Sequence, residues 1–429
     1  MSVPAVVAGR AAAAALRGSG EAESATAERG EPEPLVVAGL GLDLRTAPLD
    51  RLDRAAQELG HGWLAAEFLR APATEEAALL STCCRQELVL LLRSPGELER
   101  WRSALPGGAA GWSVRLGRDL VRHLFRVAAG RESLAVGERE VRAQVRSAGH
   151  ATRSRHRRRL LADLLAAAAG AADELAPVVP ASRSIAALAA TRLLELTGPP
   201  FPRVVVVGAG AAGRQVAELL GPFARVTLVY RHRAPDERFL RGAGARAVSV
   251  DALAEEIAVA DAVVTAAKSG SRCLGPADLA RDRPVVLVDL GVPRNIDPKV
   301  REVPGVRLVD LEELRDLARP DADAAAGPAL DARADAAYGR FERAALEPWV
   351  DAVHRRAEAT RRAELSVARA HLGTLTAEQE AAVDRLTQRL VRRLLAGPVE
   401  RVRSIPTGEE GDRLRRLALE VLRPDPAGT

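Results

Sequence analysis

The sequence predicts three successive architectures: an α+β unit, a doubly wound parallel α/β unit and an all-α tail. Three observations carry that reading. Before residue 175, strand-like and helical stretches mix without regular alternation; from about 200 to 310, four apolar strands alternate with helix-length segments; beyond about 310, apolar positions recur three and four apart almost without interruption. The implied units are 1–33 (a disordered extension), 34–175, 176–315 and 316–429.

Composition narrows the class. A chain of 429 residues, 47% hydrophobic and 28% charged, suits a soluble globular protein of roughly two to four domains. Its 62 basic and 57 acidic residues leave only +5, so nucleic-acid binding would need a local basic patch. Three cysteines, an odd count, indicate no disulfide framework and fit a reducing cytoplasm. No apolar run approaches the roughly 20 residues of a membrane span. The opening mixes Ala, Gly, Pro and both charge signs, without a basic segment followed by an apolar one.

In the first unit, "LVVAGLGL" reads as a strand and "APLDRLDRAAQEL" as a helix opened by Pro48. "EAALLSTCC" and "ELVLLL" read as strands around a turn. Helical periodicity runs from "GRDLVRHLFRVAAG" to "LLADLLAAAAGAADEL", interrupted by the basic "RSRHRRR" (153–159). That run is either a solvated face or a patch for backbone phosphates. The second unit opens on "RVVVV" followed at once by Gly208, Ala209, Gly210, Ala211, Ala212 and Gly213 and then a helix. G-x-G-x-x-G between strand and helix is the Rossmann-type dinucleotide signature: a tight turn, backbone approach to a pyrophosphate, and close helix packing. The next strand, "RVTLVY", ends without an acid to hold a ribose 2′-hydroxyl. Arg231 and Arg233 follow it instead and suit a 2′-phosphate, which favours NADPH, unless they are merely exposed. "DAVVTAA" and "PVVLVDL" complete the alternation. The apolar stripes of the helical tail lack partners within a single long arm, and a homodimer would cover them.

Two further features carry possible chemistry. Cys83 and Cys84 stand between a hydroxyl pair and Arg85 in "STCCRQE", where a cation could stabilise a thiolate. Successive side chains of an extended segment face opposite ways, so one thiol at most meets a substrate; vicinal cysteines do not easily bridge, and two alone fall short of a zinc site, so no metal is expected. The alternative is a pair of inert strand-end thiols. His123 is a general acid or base, or a packed helix residue. A nicotinamide domain beside a thiol suggests reduction of an acyl group through a thioester.

The order of motifs resembles the glutamyl-tRNA reductases. "RTAP" is similar to the family's helix start, "STCCRQE" (81–87) to S-T-C-N-R-x-E, and "HLFRVAAGRESLAVGEREVRAQ" (123–144) to the motif that follows it. The glycine loop comes next, and "VDLGVPRNIDPKV" resembles the motif closing the nucleotide domain. The resemblance implies an N-terminal catalytic domain, an NADP-binding Rossmann domain and a C-terminal all-α dimerisation domain. It implies NADPH-dependent reduction of glutamyl-tRNA(Glu) to glutamate-1-semialdehyde, the first step toward 5-aminolevulinate and tetrapyrroles, in a cytoplasmic homodimer. The downstream glutamate-1-semialdehyde aminomutase is an implied partner. By position, Cys83 would be the nucleophile and His123 the active histidine. Thr82, Cys84, Arg85, Ser133, Glu138, Arg139, Glu140 and Gln144 would contact substrate. Several positions depart from the family: Cys84 replaces asparagine, Arg131 and Glu132 replace leucine and aspartate, Arg139 and Glu140 replace proline and glutamine, and Leu44 replaces histidine. These departures admit a second reading, a catalytically lapsed paralogue acting as a binding or regulatory partner.

Overall fold

The computed structural model describes residues 35–94, 96–134, 139–155, 159–175, 184–197, 201–267, 272–279, 283–318 and 327–405, with Gly411, Arg413, Leu414, Leu417 and Ala418 near the end. The N-terminal extension, Glu138, Arg157 and Arg158 lie outside the described residues, as does the side chain of Arg139.

Chain order in the first unit is β1 (Val36–Asp43), α1 (Leu49–Glu58), α2 (His61–Arg70), β2 (Thr74–Ser81), β3 (Arg85–Leu92), α3 (Gly96–Ala104), β4 (Ser113–Leu116), α4 (Gly117–Ala128), α5 (Arg139–Ala151), β5 (Arg153–Ser154) and α6 (Leu160–Leu175). The strands form one antiparallel sheet, ordered β4-β1-β3-β2-β5. Period-two alternation divides its apolar residues between two faces. Leu40, Leu88 and Leu90 pack with Leu52, Leu64 and Trp101 of α1 to α3, whereas Val37, Val89 and Leu91 pack with Leu124, Leu161 and Leu165 of α4 and α6.

The second unit runs α7 (Ile185–Thr197), β6 (Arg203–Val207), α8 (Ala211–Leu220), β7 (Arg225–Tyr230), α9 (Glu237–Gly242), β8 (Ala245–Ser249), α10 (Leu253–Val259), β9 (Ala262–Thr265), β10 (Val285–Asp289), β11 (Val306–Val309) and α11 (Leu311–Leu317). All six strands pair in parallel, ordered β11-β10-β9-β6-β7-β8. The order reverses between β6 and β9, and ligands of such sheets bind outside the carboxyl ends of the strands at that reversal. This is the doubly wound sheet that the strand spacing predicts.

The tail is α12 (Gly327–Leu372) and α13 (Ala377–Ser404). At 1.5 Å per residue α12 is about 70 Å long, but its first half is not a free arm. Leu330, Ala334, Ala337, Tyr338 and Phe341 belong to the core beneath α4 and α6, and Asp335 and Asp331 accept paired bonds from Arg122 and Arg126 of α4. Further along, α13 folds back so that Val399 and Val402 meet Leu346, Trp349, Val350 and Val353, and Arg361 reaches Asp384 at 2.6 Å. The expectation that the whole apolar stripe lacks partners therefore fails: a helix this long can serve two cores in succession. Among the residues left uncovered in this chain, Leu386, Leu390 and Leu394, at 63%, 57% and 66% exposure, are spaced four apart on one face of α13.

Polar contacts join the first two units. The Glu312 carboxylate of α11 accepts the Leu49 N–H at 2.9 Å, satisfying a donor left open at the start of α1. Asp53 accepts the Arg294 N–H at 2.6 Å, Arg294 pairs with Asp50, and Arg315 donates to the Leu44 carbonyl at 3.1 Å.

Two arginines of the basic run have partners within the chain. Arg155 donates to the carbonyls of Thr74, Phe68 and Ala71 and stacks over the Phe68 ring at 4.6 Å, while Arg159 donates to those of Gly149, His150 and Thr152. A guanidinium has five donors in a fixed fork, and in these two residues much of that capacity is spent clasping loops. Among the described residues no helix is long and apolar enough to cross a membrane, and no cluster of metal-ligating side chains occurs.

Candidate functional site

The two thiols sit in the connection between β2 and β3, not in a strand. Thr82, Cys83 and Cys84 make a tight turn closed by Thr82 N–H to the Arg85 carbonyl at 3.0 Å, with the Thr82 hydroxyl accepting the Cys84 N–H at 3.1 Å. The Cys84 carbonyl also accepts the Leu44 N–H at 2.9 Å, tying the turn to the chain leaving β1. The expectation of opposite-facing thiols fails because the backbone is bent here: Cys83 Sγ lies 3.4 Å from Cys84 Sγ. Cys83 is half-buried and Cys84 buried.

Beneath the turn lies a charged cluster. Arg85, only 1% exposed, stands 3.3 Å from Asp43 and 3.5 Å from Glu87 and donates to the Glu132 carbonyl. Arg45 bridges Asp43 at 3.0 Å and Glu132. Glu87 Oε1 lies 2.8 Å from His123 Nε2 of α4, both groups buried. Burial alone would raise the Glu87 carboxyl; the bond to His123 and the charges of His123, Arg85 and Arg115 outweigh it and hold the group down to about 2. Because Glu87 stays an acceptor, His123 Nε2 donates to it, and Nδ1 is the ring nitrogen that Glu87 does not engage.

The glycine loop lies at the sheet's reversal point and opens on a cavity of about 900 Å³. Gly208 has φ +116°, and a Cβ at Gly213 would stand 1.8 Å from the Gly208 carbonyl oxygen, so neither position admits a side chain. A Cβ at Gly210 would meet nothing within 4 Å. That open space in front of the first turn of α8 is where a pyrophosphate needs backbone access. The cavity is also lined by Ala209, Ala211 and Ala212, by Arg231 and Arg233 after β7, and by Arg272 and Cys273. Neither Arg231 nor Arg233 has a carboxylate partner among the described residues, which leaves both free to meet an anion.

The "VDLGVPRN" segment shapes the opposite wall. Asp289 accepts the N–H groups of Gly291, Asn295 and Ile296 and the Thr265 hydroxyl, and Asn295 Oδ1 accepts the Ala267 N–H at 3.1 Å. Burial pushes the Asp289 carboxyl up to about 6 despite these donors. The motif thus holds the loop after β9, where Ala266 and Ala267 line the cavity.

The residues singled out from the sequence divide into two groups. Thr82, Cys83, Cys84, Arg85 and His123 gather around the turn, and Ser133 follows the Glu132 carbonyl, its buried hydroxyl without a partner among the described residues. Glu140 and Gln144, expected at the substrate, line the dinucleotide cavity from α5 together with Ser147. Sequence reasoning passed over Glu87, Asp43 and Arg45. Two signals were present: Arg85 and Glu87 are two apart and share a strand face, and Asp43 pairs directly with Arg85 across β1 and β3.

Comparison with known proteins agrees with the three-part architecture. Residues 40–176 match the glutamyl-tRNAGlu reductase N-terminal domain, 195–317 the shikimate / quinate 5-dehydrogenase domain, and 329–423 the glutamyl-tRNAGlu reductase dimerisation domain. The glutamyl-tRNA reductase of Kineococcus radiotolerans is 34% identical over 413 residues, 87% of this chain and 90% of its own. The chain belongs to the glutamyl-tRNA reductase family. The Salinispora arenicola relative is 32% identical over 91% of this chain and 93% of its own. Among solved structures, glutamyl-tRNA reductase from Methanopyrus kandleri aligns over 91% of this chain and 98% of its own at 24% identity and a TM-score of 0.46. The dehydrogenase-type domain supports a dinucleotide cofactor, and the dimerisation domain supports a homodimer.

The exposed leucines of α13 fall within the matched dimerisation region. Replacing Leu390 and Leu394 together by glutamate is expected to convert the dimer to a folded monomer in sedimentation; a dimer that persists places the interface elsewhere. The second expectation concerns acid. With its folded value near 2 against 4.5 unfolded, Glu87 binds fewer protons in the native state, so its contribution is present above about pH 4.5 and lost as pH falls toward 2. Glu87→Gln should therefore lose roughly 3 kcal/mol at neutral pH, the gap to the parent closing on acidification. Urea denaturation from about pH 3 to 7 checks this, and a pH-independent gap rejects it.

Proposed function

We propose that this chain catalyses NADPH-dependent reduction of glutamyl-tRNA(Glu) to glutamate-1-semialdehyde through a thioester on Cys83, opening tetrapyrrole synthesis. The observation that supports it most is the half-buried thiol on a rigid turn above Arg85 and the His123–Glu87 pair, within a chain that also holds an open glycine loop. Cys83 Sγ attacks the glutamyl ester carbonyl and the ester C–O bond breaks; His123 Nδ1 takes the thiol proton and passes it to the departing tRNA oxygen, which leaves as the hydroxyl. The Arg85 guanidinium is committed to Asp43, Glu87 and Glu132, so its role is to hold the turn and its charge field. NADPH held in the cavity would supply the hydride for reducing the thioester to the aldehyde, the C–S bond breaking to release the Cys83 thiolate. Cys83 is not among the residues lining the cavity, so the acyl group must reach in past Glu140 and Gln144. The open face at Gly210 suits the pyrophosphate of either nicotinamide cofactor, and the arginines after β7 fit NADPH rather than NADH. A free amino aldehyde is a reactive product, and the aminomutase that consumes it is the expected partner in the cytoplasm.

Cys83→Ser should abolish the covalent glutamyl adduct formed on mixing with glutamyl-tRNA without NADPH, since a hydroxyl lacking a dedicated base is a far weaker nucleophile. Intact-protein mass reads this directly. No adduct on the parent would favour a lapsed paralogue. For the cofactor, replacing Arg231 and Arg233 by alanine should weaken NADPH binding about tenfold and leave NADH nearly unchanged, because each arginine forfeits a charge-assisted contact to the 2′-phosphate. Fluorescence titration measures both, and equal loss for the two nucleotides removes the assignment.

A further inference from the structure

We infer that Cys83 and Cys84 form a reversible vicinal disulfide when the protein meets a peroxide, which makes the turn a modification site as well as an active site. The inference rests on Cys83 being the nucleophile only for its effect on activity; the modification itself rests on geometry. The two sulfurs already lie 3.4 Å apart. The backbone holds them there, since the Cys84 N–H is bound to the Thr82 hydroxyl, its carbonyl to Leu44, and Thr82 to Arg85. Exposure divides the roles. Half-buried Cys83 is the thiol a small oxidant reaches, and buried Cys84 is shielded from solvent but in contact with its neighbour.

The chemistry balances in two steps. The Cys83 thiolate takes an oxygen from hydrogen peroxide, breaking the O–O bond and releasing hydroxide, and becomes a sulfenic acid. The Cys84 sulfur then attacks the Cys83 sulfur, the S–O bond breaks, and water leaves with the thiol proton. Two thiols are thus oxidised and one peroxide reduced to two waters. Adjacent Cα atoms are only about 3.8 Å apart across a trans peptide, below the usual disulfide range of roughly 4.4 to 6.8 Å. The product is strained on that account, and strained disulfides are the readily reduced ones. With a polar amide in place of Cys84, the sulfenic acid would have no partner in the turn and would proceed to the irreversible sulfinic acid.

The full-length reduced protein is treated with hydrogen peroxide, alkylated and digested with trypsin, which releases Ala71–Arg85 with both cysteines inside it. The expected result is a peptide lighter by two hydrogens, closed to alkylation, and restored by a dithiol reductant. Cys84→Asn should instead carry an unrecovered sulfinic acid at Cys83. A sulfinic acid in the parent with Cys84 still alkylated, a bridge to Cys273, or reversible protection that survives Cys84→Asn overturns the proposal. Adduct formation with glutamyl-tRNA is then measured on the oxidised parent, where complete loss is expected. If the disulfide forms and reverses yet adduct formation persists, the modification site stands and the nucleophile assignment of Cys83 falls.

Discussion

The buried Arg85 guanidinium is the constraint on which the candidate site depends. Removing a cation from water costs several kcal/mol, and this one is compensated by Asp43, Glu87 and the Glu132 carbonyl. Each partner comes from a different segment: the end of β1, the body of β3 and the loop after α4. A single side chain therefore sets the position of the thiol turn, the carboxylate that orients His123 and the chain leading toward α5. Deleting one member leaves the others charged and dry, a loss of about 3–5 kcal/mol in comparable buried pairs. Neither Asp43 nor Arg45 need touch substrate for its loss to disable the site.

A second set of bonds does for the cavity what Arg85 does for the turn. The Asp289 carboxylate gathers three N–H groups and a hydroxyl, and Asn295 passes the constraint to Ala267 at the cavity wall. The same segment reaches back to α1 through Arg294 and Asp53. Fixing the nucleotide wall and fixing the relation between the first two units are thus one structural task. The segment's polar residues have structural partners, which accounts for their presence without a catalytic role.

Legibility in the sequence follows the range of the forces involved. The parallel sheet could be read because apolar runs, glycines and helix starts are local signals, and β7 coincides with "RVTLVY". The thiol turn was misplaced because "STCCRQ" contains no Gly, Pro, Asn or Asp; the Thr82 hydroxyl supplies the bond such residues usually make. The approach of His123 to Glu87 spans 36 positions and depends on α4 lying against the sheet, so no periodicity could show it. The first half of α12 reads from sequence as an unpartnered stripe, yet its partners, Arg122 and Arg126, lie more than 200 residues earlier. In the last two cases the missing information was tertiary pairing; in the turn it was a local bond from an unusual residue type.

The charges around the cavity bear on what it can hold. Arg231, Arg233 and Arg272 face it with Glu140. Arg272 lies 3.0 Å from Asp297, so much of its charge is already balanced. Arg214, on the helix after the glycine loop, is stacked over Phe239 at 4.8 Å and lies 3.5 Å from Asp236. The uncompensated charge therefore sits at the end of β7, where a ribose is held in folds of this kind; under the proposed function, backbone N–H groups at Gly210 rather than cations would serve the pyrophosphate. Glu140 comes from the other unit, on α5. Under the proposed function, discrimination between the two nicotinamide cofactors would reduce to whether the two solvent-facing arginines meet a phosphate or a hydroxyl.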